Sequence, residues 1–263
     1  MSSAHIKSPL IMGILNITPD SFSDGGDAFA TEHALKNAQL LWEEGADILD
    51  VGAESTRPGA VPISVAEEKR RLEPIIGPLV AAGYRLSIDS YKPEIISYVL
   101  KKGFHIVNDI HGFRKYPEIA DMVYDHGAEA VLMHNKAEKD DACDIVQDIK
   151  DQLSHSVDIA LKAGLKKAQI MLDPGIGFGK TFAQNLTIIK SLPELKSYFG
   201  LPFLIGASRK AFIGHYLNIQ TPKERLYGTL GVHFEAIQRG ADAIRVHDVK
   251  AHYDMREMLY CLR

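Results

Sequence analysis

A (β/α)8 TIM barrel, formed as a single domain over residues 1–263, is the fold that three observations predict. Seven times a helix-like stretch stops at a glycine and a short apolar run follows. Each run ends in a polar or charged residue, or in a glycine leading to a polar turn. Glycine takes the left-handed conformation that closes a helix most cheaply, so its recurrence marks helix-to-strand junctions. The runs are apolar or nearly so, as in Ile48-Leu49-Asp50-Val51 and Ile106-Val107, which suits a parallel sheet buried on both faces. Strict alternation with helices implies right-handed crossovers, and eight such units in roughly 250 residues match the barrel in count and length. A doubly wound open sheet is the main rival. It usually has fewer strands and a glycine fingerprint after the first, which Gly13-Ile14-Leu15-Asn16 does not supply.

The first apolar run, Leu10 to Asn16, has no helix before it. A helix beginning near Thr31 places Leu35, Ala38, Leu41 and Trp42 on one stripe, as a helix covering a sheet should. It closes at Glu43-Glu44-Gly45, and the second strand runs to Asp50. Ser64-Val65-Ala66-Glu67 fits a capping box at the start of the next helix, which closes at Ala81-Ala82-Gly83 before the run to Asp89. Pro93 suits the first turn of the third helix. Lys101-Lys102-Gly103 then leads to Asn108, Asp125-His126-Gly127 to His134, and Lys162-Ala163-Gly164 to Asp173. Thr181-Phe182-Ala183-Gln184 is a second capping box, and Tyr198-Phe199-Gly200 leads to Gly206. Thr221-Pro222-Lys223-Glu224 reads as a third, with Pro222 in the first turn, and Gln238-Arg239-Gly240 leads to Arg245 and His247. Two connections, Ile17 to Ala30 and Ala53 to Ile63, are too long for simple turns. Both are rich in Gly, Pro, Ser, Thr and Asp, and on a barrel they would overhang the catalytic face.

Composition narrows the function classes. With 46% hydrophobic residues the chain can bury a substantial core, and a formal charge of -4 provides no basic field for nucleic acid. The two cysteines, Cys143 and Cys261, match no zinc or redox spacing and read as ordinary thiols of a reducing compartment. Met1 to Pro9 is polar, without the apolar stretch of a secretory signal, and no run approaches the ~20 apolar residues that cross a membrane. A soluble cytoplasmic protein is expected.

Barrel active sites lie at the C-terminal ends of the strands, where Asn16, Asp50, Asp89, Asn108, His134, Asp173, Lys210, Arg245 and His247 would ring one mouth. Any one of them alone is more often a turn residue or a helix cap. Arg245 and His247 are two apart, so both leave the same face of the last strand. The preferred reading is a phosphate clamp, and the alternative is an internal ion pair of Arg245 with a carboxylate such as Asp50. Gly206-Ala207-Ser208-Arg209-Lys210 supports the clamp, because the loops after strands seven and eight frequently bind phosphate in these barrels. Two adjacent cations at a helix start also oppose its dipole unless an anion is present. Asp173-Pro174-Gly175-Ile176-Gly177-Phe178-Gly179-Lys180-Thr181 fails the P-loop spacing, since proline occupies residue 174. Its glycines suit a tight turn exposing Asp173 to the mouth, with Phe178 near the rim or in the core. No H-E-x-x-H or clustered cysteine appears. A Mg²⁺ held mainly by phosphates and water needs only one or two protein oxygens, of which Asn16 could supply one.

Residues 13–26, 50–59, 173–180, 206–210 and Arg245-Val246-His247-Asp248 together closely resemble the dihydropteroate synthase family, in order and over essentially the whole chain. The resemblance implies a homodimeric transferase of folate biosynthesis. It would join 4-aminobenzoate to 6-hydroxymethyl-7,8-dihydropterin diphosphate, release pyrophosphate and form dihydropteroate. It implies that Asp89, Asn108, Asp173 and Lys210 hold the pterin, whose ring edge presents N–H donors to the carboxylates. Asn16, Arg245 and His247 would hold Mg²⁺-pyrophosphate, with Asn16 as the metal ligand. Thr56 and Arg57 lie on the second long loop. Phe22 and Pro58, with Phe178 and the turn Ser208-Arg209-Lys210, would border the aminobenzoate. Asn16, Lys210, Arg245 and His247 are thus the catalytic candidates. Ala53 and Asn135 depart from the usual pattern without touching these positions. Rival readings are a pterin-dependent methyltransferase domain, which has no pyrophosphate to bind, and a non-catalytic pterin-binding paralogue.

Overall fold

The computed structural model describes residues 8–17, 26–55 and 61–262. Eight parallel strands alternate with helices: β1 (Leu10–Asn16), α1 (Gly26–Glu43), β2 (Ile48–Gly52), α2 (Val65–Ala81), β3 (Leu86–Asp89), α3 (Pro93–Leu100), β4 (Ile106–Asp109), α4 (Glu118–Asp125), β5 (Glu129–Met133) and α5 (Ile145–Lys162). There follow β6 (Ile170–Asp173), α6 (Phe182–Lys190), α7 (Leu192–Phe199), β7 (Leu204–Ile205), α8 (Ala211–Leu217), α9 (Leu226–Gln238), β8 (Ala243–Val246) and α10 (Val249–Cys261). The strands pair in the order β6-β5-β4-β3-β2-β1-β8-β7. A bridge between Leu172 and Phe203, with Leu172 N–H donating to Pro202 O at 2.8 Å, brings β6 to β7 and completes the barrel.

All seven junction glycines, Gly45, Gly83, Gly103, Gly127, Gly164, Gly200 and Gly240, have positive φ, between 60° and 105°. The backbone reason for the cadence is therefore present at every junction. Strict one-to-one alternation fails in the last third of the chain. Pro193 lies in the first turn of α7 and separates it from α6, and α8 ends on Asn218 in the left-handed conformation, so these connections each carry two helices. The helix expected near Thr31 begins at Gly26, and it buries Ala34, Ala38 and Leu41.

Of the three capping boxes, only Thr181 with Gln184 is complete. Ser64 accepts from Glu67 N–H, but the Glu67 carboxylate pairs with Arg70 and Arg71 instead of reaching back. Thr221 makes no side-chain cap, because the segment after it is a 3-10 turn, Pro222–Arg225, and α9 starts beyond it.

Inside the barrel, Met12, Ile48, Ile106, Val131, Leu204 and Ala243 form an apolar layer. The larger cluster lies between strands and helices, and includes Leu15, Leu49, Leu72, Ile88, Val107, Leu132 and Ile244. Side chains alternate faces along a strand, so a step of two residues from the inner layer reaches the next inner layer. That step leads from Ile48 to Asp50, from Ile106 to Asn108 and from Ala243 to Arg245. An apolar plug thus supports a polar floor.

Candidate active site

Asp50 is the centre of that floor. The strand holding it does not stop there, because β2 pairs with β1 as far as Asn16↔Gly52, which places Asp50 below the rim. It is fully buried and accepts from Ser87 Oγ (2.6 Å), Asn108 Nδ2 (3.1 Å) and Arg245 Nε (2.6 Å). Arg245 Nη2 donates to Asp89 Oδ2 at 2.7 Å. The internal ion pair is therefore realised, with two carboxylates, and the guanidinium is not a dedicated phosphate clamp. Pairing with Asp50 and Asp89 outweighs burial and raises the Arg245 pKa, so this cation is permanent.

Asp89 is the unusual member. Burial raises its pKa to about 7, with Arg245 pulling it down and Asp50 pushing it up. Its Oδ1 is buried with no hydrogen-bond partner among the described residues. Leaving a buried carboxylate oxygen unsatisfied is costly, so Oδ1 is poised for a donor from outside. Asp173 is also buried, accepts from Gly175 N–H at 2.7 Å, and has its pKa raised by burial against the pull of Lys210 and Lys180.

Opposite these carboxylates, Lys210 Nζ lies 4.3 Å from the centre of the Phe178 ring. The glycine-rich turn after β6 brings them together. Gly177 has positive φ, and a Cβ there would lie 3.2 Å from Lys210 Cδ. Lys180 folds back into the turn that precedes it. It is buried and closes its own loop by donating to Gly175 O (2.7 Å) and Phe178 O (3.0 Å), while burial pulls its pKa down to about 7.

The far side of the mouth joins β7 to β8. Ser208 Oγ lies 2.9 Å from His247 Nδ1 and accepts from His247 N–H at 3.2 Å. Arg209 has φ of 58°, and its guanidinium is held by both oxygens of Asp248. Its neighbour Lys210 faces the pocket while Arg209 braces the wall. The mouth thus presents carboxylates from Asp89 and Asp173 with the Lys210 ammonium near them, and Ser208 bonded to His247.

Known proteins share this arrangement of strands. The family of pterin binding enzymes matches residues 12–247. The dihydropteroate synthase of Bacillus subtilis (strain 168) is 43% identical over 257 residues, 97% of this chain and 89% of the relative. The chain belongs to the dihydropteroate synthase family. The crystal structure of a Clostridium difficile dihydropteroate synthase in the presence of pteroic acid has a TM-score of 0.93 at 42% identity, covering 99% of each chain. The Xanthomonas albilineans dihydropteroate synthase with 4-aminobenzoic acid has a TM-score of 0.92 at 40% identity, covering 98% of this chain and 94% of that one.

As in other barrels, the strand ends of this dihydropteroate synthase fold converge. Asn16, Asp89, Asn108, Asp173, Phe178, Ser208, Lys210, Arg245 and His247 lie at them or in the turns that follow. Phe22, Thr56, Arg57 and Pro58 lie outside the described residues. Gly52 lies against both oxygens at the rim, since a Cβ built on it would meet Asp89 Oδ2 at 3.6 Å and Asn16 Oδ1 at 3.8 Å, ordinary contact distances. Among the described residues no group of three or more His, Cys, Asp or Glu is arranged for a metal ion. A Mg²⁺ taking most ligands from phosphate and water needs only one or two protein oxygens, and Asn16 Oδ1 lies at the rim against Gly52.

His134 was expected to ring the mouth but is wholly buried, with Nε2 3.0 Å from Asp148 Oδ2. Burial and the Lys180 charge push its pKa down to about 3, which keeps it neutral. Sequence reasoning places Asp50 in the ring and offers it as a partner of Arg245 but does not single it out as the organiser of the floor, and it gives Lys180 no part in tying the Phe178 turn. Asp50 carried a usable signal in its two-residue offset from Ile48. Lys180 carried none, because its partners are carbonyls.

Proposed function

We propose that the chain joins 4-aminobenzoate to 6-hydroxymethyl-7,8-dihydropterin diphosphate, releasing pyrophosphate and forming 7,8-dihydropteroate. The observation that carries this reading is the unpartnered, buried Asp89 Oδ1 beside Asp173 and Lys210. Such a set complements a pterin edge, whose N–H groups satisfy the carboxylates while Lys210 donates to a ring acceptor. Kinship with dihydropteroate synthases supports the same substrate pair.

In the reaction the bond between the pterin methylene carbon and the diphosphate oxygen breaks, and the oxygen keeps the electron pair. His247, and Arg245 with a charge already shared between Asp50 and Asp89, are the groups proposed to meet the growing negative charge and so lower the barrier by electrostatic stabilisation prepared in advance. The electron-rich dihydropterin shares the positive charge left on carbon. The aromatic amine nitrogen then bonds to that carbon and sheds a proton. No protein nucleophile is required. Mg²⁺, held by Asn16 and the diphosphate, would add neutralising charge at the leaving group. Thr56 and Arg57, with Phe22, Pro58 and Phe178, are proposed to enclose the aminobenzoate, whereas Ser208, bonded to His247, is proposed for the diphosphate side and Arg209, held by Asp248, braces the wall between them. We further propose a cytoplasmic homodimer, to be checked by light scattering in solution.

The decisive assay supplies the pterin diphosphate, 4-aminobenzoate and Mg²⁺, and follows pyrophosphate and dihydropteroate together. One-to-one formation of the two products is expected. Pterin binding without turnover would instead identify a non-catalytic binding protein.

A further inference from the structure

Behind the diphosphate side of the mouth lies a buried histidine pair that the proposed chemistry does not use. His233 on α9 and His252 on α10 are both fully buried, with His233 Nδ1 2.9 Å from His252 Nε2. Ala207 N–H donates to His233 Nε2 at 3.1 Å, and His252 Nδ1 lies 2.7 Å from Asp248 O. The ends of this chain decide its protonation. An amide N–H can only donate, so His233 Nε2 is bare and the proton of its neutral ring is on Nδ1. That proton goes to His252 Nε2, and His252 in turn donates from Nδ1 to the Asp248 carbonyl, which can only accept. Burial lowers the pKa of both rings, which agrees with two neutral imidazoles.

The relay connects the two segments that build the diphosphate half of the site. Ala207 immediately precedes Ser208, and Asp248 immediately follows His247. Other ties run in parallel. One turn before His233 on α9, Thr229 Oγ1 accepts from Arg209 N–H at 3.0 Å, and the Arg209 side chain binds Asp248. With neither ring free to change tautomer, the relay ties the turn after β7 to the end of β8.

We propose that His233 and His252 are positioning residues which, through the Ala207 and Asp248 backbone, hold Ser208 and His247 in register for the diphosphate. This rests on the function proposed above. The test compares two ligands by calorimetry: the pterin diphosphate, and the same pterin bearing a hydroxyl in place of the diphosphate. His233→Leu is expected to weaken binding of the diphosphate about tenfold, the scale of a small misplacement at a reacting centre, and to change binding of the alcohol less than about twofold. His233→Gln should restore the diphosphate preference, since one amide can accept from Ala207 N–H and donate to His252. Equal loss of both ligands, or an unchanged ratio in folded His233→Leu, would overturn the proposal. Should that variant not fold, ¹⁵N shifts of labelled histidine in the wild-type protein decide. Protons on Nδ1 of both rings support the relay, and a proton on either Nε2 refutes it. Wild-type protein that binds neither ligand would refute the functional reading instead.

Discussion

At the scale of single residues the site is organised by unequal carboxylates. Asp50 is saturated with donors, whereas Asp89 has one oxygen bonded to Arg245 and the other unpartnered. Asp89 holds its proton to about pH 7 in the folded chain, and an unfolded chain releases it near about pH 4. Its contribution to stability is thus full below about pH 4 and is lost as pH rises through 7. Pterin N–H groups require the ionised form, so binding at about pH 6 should release a proton and binding at about pH 8.5 should not. Calorimetry in two buffers of different ionisation enthalpy reads this directly, and equal release at both pH values would exclude Asp89 as the titrating acceptor. Arg245→Ala leaves Asp50 and Asp89 without their common cation. A loss of about 3–5 kcal/mol is expected in urea unfolding, because breaking a buried ion pair strands the Asp50 carboxylate, while Asp89 keeps its proton. Weaker binding of the bare pterin should accompany it.

Elements carry their own local tests. Thr181→Ala removes one arm of a complete capping box and should cost about 1 kcal/mol. Thr221→Ala should change stability by less than about 0.5 kcal/mol, since Thr221 caps nothing with its side chain. Thermal melts of the two variants side by side give the comparison. Turns differ in the same way. At Gly83, with φ of 74°, nothing lies within 4 Å of an added Cβ, so Gly83→Ala bears only backbone strain of about 1–2 kcal/mol. At Gly175 the added Cβ would be 1.9 Å from His134 O. Gly175→Ala must therefore push apart the turns after β5 and β6, and its loss of melting temperature should be at least about twice that of Gly83→Ala.

These contrasts also show what was legible in the sequence. The seven junction glycines were readable because the left-handed turn is a local demand on one residue. The ring of strand-end residues followed from the fold class, and Asn16, Asp89, Asn108, Asp173 and Arg245 stand where that reasoning put them. The failures have long-range causes. Glu67 looked like a capping partner until arginines on its own helix competed for it. His134 was placed in the ring at the mouth, but its side chain pairs with Asp148 of α5 instead. The pairing of Arg245 with Asp50 spans 195 residues, and no local spacing encodes which of two possible anions it holds.

At the scale of the whole molecule, the barrel is unevenly fastened. β1 pairs with β2 over five residues, from Met12↔Ile48 to Asn16↔Gly52, whereas β6 meets the segment before β7 through the single bridge Leu172↔Phe203. Hydrogen exchange should therefore protect the β1 and β2 amides most and find a lower opening free energy at Leu172. Uniform protection around the barrel would contradict this. The seam separates Asp173, at the end of β6, from Lys210, just beyond β7. A ligand bridging that carboxylate and that ammonium acts as a removable staple across the weakest joint of the cylinder. Its measured affinity then includes the work of holding the joint shut. A substitution on the outer helices that loosened the seam would weaken the ligand without touching the pocket.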